Sequence, residues 1–384
     1  MQPLGPEALR PHYSAFLRAG RVLLTGHSHQ AWPDVARAGL QASFADAAEH
    51  VDDKWQRAAE VADGVRAAVV ERIGGKLEQI ALGQSTHELA SRFLSALDLR
   101  RRPRLVTTSG EFHSLDRQLR RLAEEGVEVH FIDAQPQASL AARLAAAIDE
   151  RTAALLVSTV LFETSTRVRG LGEAIAAAQR AGAQVLLDAY HAFNVVPFRM
   201  KELGPDPIFV TAGGYKYAQW GEGCCFLRVP PDTELRPVYT GWFSDFAHLD
   251  SARGPGPVRY GQRPCDRFAG STYDPSSHYR ALAVQGFFRE HALSVDRLRE
   301  LSLRQTGRLL AGLDGFDVLT PRAAEERGGF VALRLPDAAA AVQRLRARGV
   351  WADARGDVLR LGPAPYTTDD EIDRALEALR QVAT

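Results

Sequence analysis

A chain of 384 residues is long enough to bury a large core and to divide into two domains. Its 47 Lys and Arg balance 47 Asp and Glu, which excludes the basic surplus of a nucleic-acid binder and the acidic tail of a disordered segment. Three Cys, two of them adjacent (Cys224 and Cys225), form neither a disulfide framework nor a zinc spacing, and no apolar run is long enough for a signal core or a membrane span; a cytoplasmic protein is expected.

Taken in order, residues 6–19 read as a short helix, and RVLLTGHSHQAWP (21–33) as a brief extended run that breaks into a Gly/His/Ser loop. Helices are expected over 34–49 and 54–73, the second with its apolar face at Val61, Val65, Ala68, Val69 and Ile73. Strands then alternate with helices. QIALG (79–83), RLVTT (104–108), VEVHFI (127–132) and AALLVSTVLF (153–162) are strands, followed by helices to about 99, to about 125, at 138–149, and to about 182. AQVLL, PIFVT and CCFLRV (224–229) continue the series. This rhythm predicts an α/β fold, a parallel sheet with helices on both faces. Residues 230–275 are rich in Gly, Pro and aromatics and irregular, and a stretch of that length is more often functional than idle. Helices at 276–292 and 294–313 follow. FDVLT, GGFVALRL, a helix at 337–348, VWADAR, VLRLG and a helix at 368–382 make a small α+β unit.

The chemistry concentrates in residues 183–221. AQVLL runs into Asp188 and His191, and PIFVT runs into Gly213-Gly214-Tyr215-Lys216-Tyr217. Ligands of open α/β sheets sit beyond the carboxyl ends of the strands, so a carboxylate and an amine are delivered to one place. Pyridoxal 5'-phosphate needs that pair: a Lys for its Schiff base and an anion for its protonated ring nitrogen. Lys216 supplies the amine and Asp188 the carboxylate; the two glycines are expected to let the backbone approach the ligand. The bland readings are a solvated loop lysine and a turn or capping aspartate. Ser85 and Glu88 have capping-box spacing at the start of a helix, where free N–H groups and the helix dipole also suit a phosphate.

On these residues the chain resembles the fold-type-I pyridoxal-phosphate enzymes, class V aminotransferase branch, and within it kynureninase. LLDAYHAFNVVP and GGYKY are similar to the family's Asp-x-x-His and Tyr-Lys segments, and weaker likeness runs through the early Gly-x-Ser loop, Gly-Trp at 241–242, Gly-Ser-Thr at 270–272 and VLRLGPAPY. The resemblance implies a mainly parallel seven-stranded large domain over 46–290, an N-terminal arm over 1–45 and a small C-terminal domain over 291–384. It implies that Lys216 carries the cofactor, that Asp188 pairs with the ring nitrogen, and that His191 holds Asp188 or the cofactor's oxygen. Phe112 stacks on the ring, and Ser85 and Thr86 bind phosphate. Tyr215, Trp242 and Thr272 or Ser271 complete the phosphate cup, the last two from the partner of a homodimer. Arg360 takes the substrate α-carboxylate, for which a guanidinium fork suits. The substrate implied is an amino acid with an aromatic side chain, kynurenine or 3-hydroxykynurenine as in tryptophan catabolism. Its Cβ–Cγ bond is cleaved by water to alanine and an anthranilate-type acid, with Tyr215 as a proton donor.

The chain also departs from the family. The early loop reads Gly26-His27-Ser28-His29-Gln30-Ala31-Trp32-Pro33, so His27, Ser28, His29 and Trp32 are candidates to line the pocket for the distal ring. Leu115 stands where the family has an aspartate, with Asp116 one position on. The His-x-His spacing has no carboxylate or Cys beside it, so no metal is expected. Competing readings are a C–S lyase or cysteine desulfurase, an aminotransferase, and a regulator that binds the cofactor without turnover.

Overall fold

The computed structural model describes residues 4–18, 20–200, 207–250 and 256–382. The N-terminal arm holds a one-turn helix α1 (Pro6–Leu9), a 3-10 turn at Arg10–Tyr13 and strand β1 (Val22–Leu23). The helix expected over 6–19 is thus cut short, because Pro11 has no N–H to continue the α-helical ladder; position 19 lies outside the described residues. Helices α2 (Val35–His50) and α3 (Lys54–Ile73) follow. All five apolar positions read from the α3 sequence are buried, and the helix stops at Gly74, whose φ of +85° suits only glycine. Helix α2 packs so closely on a later helix that a Cβ on Gly39 would stand 2.6 Å from the carbonyl oxygen of Tyr279.

The central sheet then assembles from β2 (Ile80–Gly83), α4 (Thr86–Ser95), β3 (Arg104–Thr108), α5 (His113–Glu124), β4 (Glu128–Ile132), α6 (Leu140–Ala146), β5 (Thr152–Ser158), α7 (Leu171–Arg180), β6 (Gln184–Asp188), β7 (Ile208–Gly213) and β8 (Cys225–Arg228). The seven strands lie in the order β2-β8-β7-β6-β5-β3-β4. All are parallel except β8, which runs antiparallel to both neighbours. Every residue of β5 is buried, as a mid-sheet strand covered on both faces requires, and burying residues such as Leu155 and Leu156 contributes about 1.5–3 kcal/mol each. Edge strand β4 instead offers Glu128 to Arg104 and Arg151. The strand expected over 153–162 ends at Ser158, because Val160 leaves the ladder for a bridge to Arg167 and the Phe162 carbonyl accepts from Arg360. The helix expected over 138–149 shortens to α6 behind a 3-10 turn at Gln137–Ser139.

Among the described residues, 230–275 hold only 3-10 turns, as their composition suggests; 251–255 lie outside them. Helices α8 (Ser276–Glu290) and α9 (Val295–Ala311) lead to β9 (Asp317–Val318), β10 (Val331–Arg334), α10 (Ala338–Ala347), β11 (Val350–Trp351), β12 (Asp353–Arg355), β13 (Val358–Leu361) and α11 (Asp369–Val382). Strands β12-β13-β10-β9 form an antiparallel sheet with its own core of Leu309, Leu333, Leu359, Ile372 and Leu379. The arm joins this unit: β1 pairs parallel with β11, and Thr25 bridges to Gly362.

Candidate active site

Strands β6 and β7 are neighbours, and Asp188 lies in register with Thr211, so both chain ends open onto one edge of the sheet. Lys216, three residues beyond β7, is 3% exposed. Its backbone is clamped. The Tyr215 carbonyl accepts from Gln30 N–H at 3.1 Å, the Lys216 carbonyl from Gln219 N–H at 3.1 Å, and the Tyr217 carbonyl from the Asn194 amide at 2.8 Å. The glycines ahead of it serve packing rather than ligand approach. A Cβ on Gly213 would strike Cys225 Sγ and the Tyr190 hydroxyl, and one on Gly214 would sit 2.6 Å from Trp220 Cβ.

The Lys216 amine points into a pocket of about 240 Å³ lined by Ser85, Thr86, Phe112, Asp188, His191 and Tyr215. Its Nζ is 2.7 Å from His191 Nε2, 4.8 Å from the centre of the Tyr190 ring and 5.0 Å from that of Phe112. Burial drives the amine down to about 7, against the pull of Asp188. Burial, with the Lys216 charge, holds His191 well below the usual imidazole value. Burial raises Asp188, while the Tyr190 N–H at 2.9 Å and Lys216 oppose it. Tyr215 is pushed up to about 12 by burial, so its phenol keeps its proton at neutral pH.

At the other end of the pocket α4 begins. The Ser85 hydroxyl caps it by accepting from Glu88 N–H at 3.1 Å, and the Glu88 carboxylate takes Gln84 N–H at 2.9 Å, one residue earlier than a capping box would place it. The first-turn N–H groups of a helix have no partner within it. Beside them the Gln84 amide nitrogen is buried with no hydrogen-bond partner among the described residues, a donor suited to an anionic oxygen. Anion donors at one end, a carboxylate at the other, an aromatic ring and a buried amine of lowered basicity between them fit a phosphorylated pyridine aldehyde.

Other candidates lie elsewhere. Ser271 and Thr272 line an adjoining cavity of about 1100 Å³, which shares Gln84, His87 and Ser91 with the Lys216 pocket, and Trp242, 40% exposed, packs on Phe243 at 4.4 Å. Arg360 is buried in β13, its fork on Asp353 at 3.0 and 2.5 Å and a third N–H on the Phe162 carbonyl at 2.7 Å. Buried His27 stacks on Phe330 and reaches the same Asp353 at 2.8 Å, while burial lowers it to about 4. His29 is stacked on the Tyr215 ring at 5.0 Å, and the Ser28 hydroxyl donates to the Thr25 carbonyl at 3.1 Å. Trp32 packs on Phe16 beneath the Arg280 guanidinium, away from the pocket lining. Sequence reasoning missed Gln84, Asp353 and Glu111. Glu111 alone had a local signal, an acidic residue in the strand-to-helix corner next to the stacking aromatic. Among the described residues no group of three His, Cys, Asp or Glu is placed to hold a metal, and no helix is long and apolar enough to cross a membrane.

This architecture is that of the fold-type-I pyridoxal-phosphate transferases. A cysteine desulfurase from Thermococcus onnurineus NA1 superposes with a TM-score of 0.84 at 18% identity over 100% of this chain and 99% of its own, and a C-DES mutant with glycine covalently linked to the PLP cofactor does so with 0.84 at 19% over 96% and 98%. In sequence the chain resembles the class V branch and, within it, kynureninase. The kynureninase C-terminal domain model matches residues 296–379. Kynureninase from Pseudomonas fluorescens is 24% identical over 98% of this chain and 92% of its own length, and that from Deinococcus radiodurans 25% over 94% and 90%. Isopenicillin N epimerase from Streptomyces clavuligerus is 27% identical over 82% of each.

Proposed function

We propose that the chain is a pyridoxal-phosphate enzyme that hydrolyses the Cβ–Cγ bond of kynurenine, 3-hydroxykynurenine or a β-aroyl-alanine analogue to an anthranilate-type acid and alanine. The observation that carries the reading is the buried Lys216 amine, held near 7 inside a pocket that also receives Asp188. The likeness to kynureninases along almost the whole chain supports the substrate class.

Lys216 and Asp188 would hold the cofactor by its aldehyde and ring nitrogen, Phe112 by its face, and Ser85, Thr86 and Gln84 by its phosphate. The cofactor supplies an electron sink at the substrate α-carbon. An amine brought down to about 7 has a substantial neutral fraction near that pH and is a competent base for the α-proton, and His191, 2.7 Å away, is placed to take up or return a proton at Nζ. In the hydrolysis, the water oxygen ends on the aryl carboxylate and a proton ends on Cβ. Tyr215 is the donor for that proton, since its phenol stays protonated far above neutrality. Arg360, pre-oriented by Asp353, is the residue for the α-carboxylate. Trp242, Ser271 and Thr272 do not line this pocket within one chain, which fits a contribution to the site of a second copy. Three free thiols fit a cytoplasmic setting.

The desulfurase alternative needs a reactive thiol. All three thiols are buried, and burial raises Cys225 to about 12 and Cys265 to about 11, with Cys224 higher still. The test is product analysis after incubation with kynurenine, 3-hydroxykynurenine and cysteine. Alanine with an aromatic acid is expected. Alanine with sulfide selects the desulfurase, an aminated cofactor that needs a keto acid selects the aminotransferase, and bound cofactor without product selects the regulator.

A further inference from the structure

A second carboxyl lies behind the pocket wall, close enough to feel the Asp188 charge. Glu111, 3% exposed, lies in the corner between β3 and α5, next to Phe112. Its Oε1 accepts from the Thr108 hydroxyl at 2.6 Å and from Ser158 N–H at 3.1 Å, and its Oε2 accepts from the Ser158 hydroxyl at 2.6 Å. Ser158 closes β5 in register with Asp188, and the next N–H, that of Thr159, donates to the Asp188 carbonyl at 2.9 Å. One side chain thus ties the ends of β3 and β5, beside the backbone bond that joins β5 to β6, and fixes the corner that carries Phe112.

These bonds do not require a charge. A glutamine would satisfy them all, its oxygen accepting from Thr108 and Ser158 N–H and its amide donating to the Ser158 hydroxyl. Burying an ionisable group that the hydrogen bonds do not need costs stability, so the charge calls for another role. Of the titratable groups around it, Asp188 from β6 acts on Glu111 directly; His191, Lys216 and Tyr215 line the pocket beyond, His113 packs against the neighbouring Phe112, and Asp353 and Arg360 act on Lys216 from the C-terminal sheet. Burial raises Glu111 to about 7 against the hydrogen bonds from Ser158 and Thr108, and the Asp188 charge adds to the rise, so it changes charge near neutral pH.

We propose that Glu111 is a positioning residue for the ring-nitrogen end of the cofactor site: it sets the Phe112 ring and the Asp188 carboxylate, and its negative charge strengthens the hold of Asp188 on the ring-nitrogen proton. The inference rests on the pyridoxal-phosphate reading above. A like charge beside Asp188 raises the proton affinity of the pair, so loss of that charge loosens the proton.

The experiment uses holoprotein reconstituted with pyridoxal phosphate carrying ¹⁵N in its ring. In Glu111→Gln the ring-nitrogen shift should titrate about one pH unit lower than in the wild type, while the visible circular dichroism of the bound cofactor stays unchanged. In Glu111→Ala the dichroism should fall as well, and the cofactor should bind about tenfold more weakly. Ser158→Ala serves the same arm should Glu111→Ala not fold. An unchanged titration midpoint in Glu111→Gln overturns the charge role; wild-type dichroism and affinity in the alanine variant overturn the positioning role. A wild-type protein that yields no borohydride-trapped adduct at Lys216 overturns the cofactor reading itself, a result separable from the other two.

Discussion

Nζ of Lys216 and Nε2 of His191 stand 2.7 Å apart, both side chains buried in the pocket wall, so two bases share one proton position. Burial disfavours the charged form of each, and the lysine settles near 7 rather than at its usual 10.5.

That displacement makes the stability of the apoprotein depend on pH in a fixed direction. Between about pH 7 and 10.5 the unfolded chain binds a proton at Lys216 that the folded chain does not. The contribution of this residue therefore rises with pH across the window and is lost as pH falls through 7. Lys216→Met should flatten the melting temperature of the apoprotein over that range. A variant that keeps the wild-type slope shows that Lys216 titrates normally. Glu111 acts in the opposite sense: raised to about 7, it contributes stability that is lost as pH climbs from about 4.5, and Glu111→Gln should remove that decline.

Asp353 binds both His27 and the Arg360 fork. Burial raises its carboxyl, but His27 and Arg360 outweigh that and hold it well below the usual range. Asp353→Asn leaves a buried guanidinium without its anion, and urea denaturation at neutral pH should show a loss of about 3–5 kcal/mol. If Arg360 receives the substrate carboxylate, KM rises in this variant by more than kcat falls. An unchanged KM assigns the pair to structure alone.

The sheet was legible because its strands are short apolar runs cut by Gly and Pro, and helix α3 because its apolar face repeats at helical spacing. Element ends were less so. Leu161 and Phe162 are as apolar as the strand before them, and their hydrogen bonds with Ser165, Thr166 and Arg360 draw them out of the ladder. In the site, Asp188 and Lys216 were readable because Asp188 closes one apolar strand and Lys216 lies three residues past the end of the next. Asp353 was not, since it acts on residues 326 positions away and 7 positions away through the fold of the small sheet. Nor did the sequence show that Gly213 and Gly214 make room for Tyr190, Cys225 and Trp220.

Gly213 gives a steric test. Any Cβ there meets the Tyr190 hydroxyl and Cys225 Sγ. Gly213→Ala must move the Tyr190 ring, whose centre lies 4.8 Å from Lys216 Nζ. The expected cost is about 1–3 kcal/mol from overpacking, with a shifted visible absorbance of the bound cofactor. A variant with wild-type melting and spectrum would show that the neighbours yield freely.

The separation of Trp242 from the Lys216 pocket yields the sharpest test of subunit sharing. Within one chain Trp242 packs on Phe243 and Phe246, on the side where Ser271 and Thr272 line the larger cavity. If Trp242 serves the neighbouring subunit, Lys216→Ala and Trp242→Ala proteins are each impaired alone, but their mixed dimer holds one site with both residues intact. After unfolding and refolding an equal mixture, half the dimers are mixed and each has one good site in two, so activity should recover to about a quarter of wild type. If Trp242 acts within its own chain, the mixed dimer has no intact site beyond those the parents had. Activity then stays at the average of the two single variants.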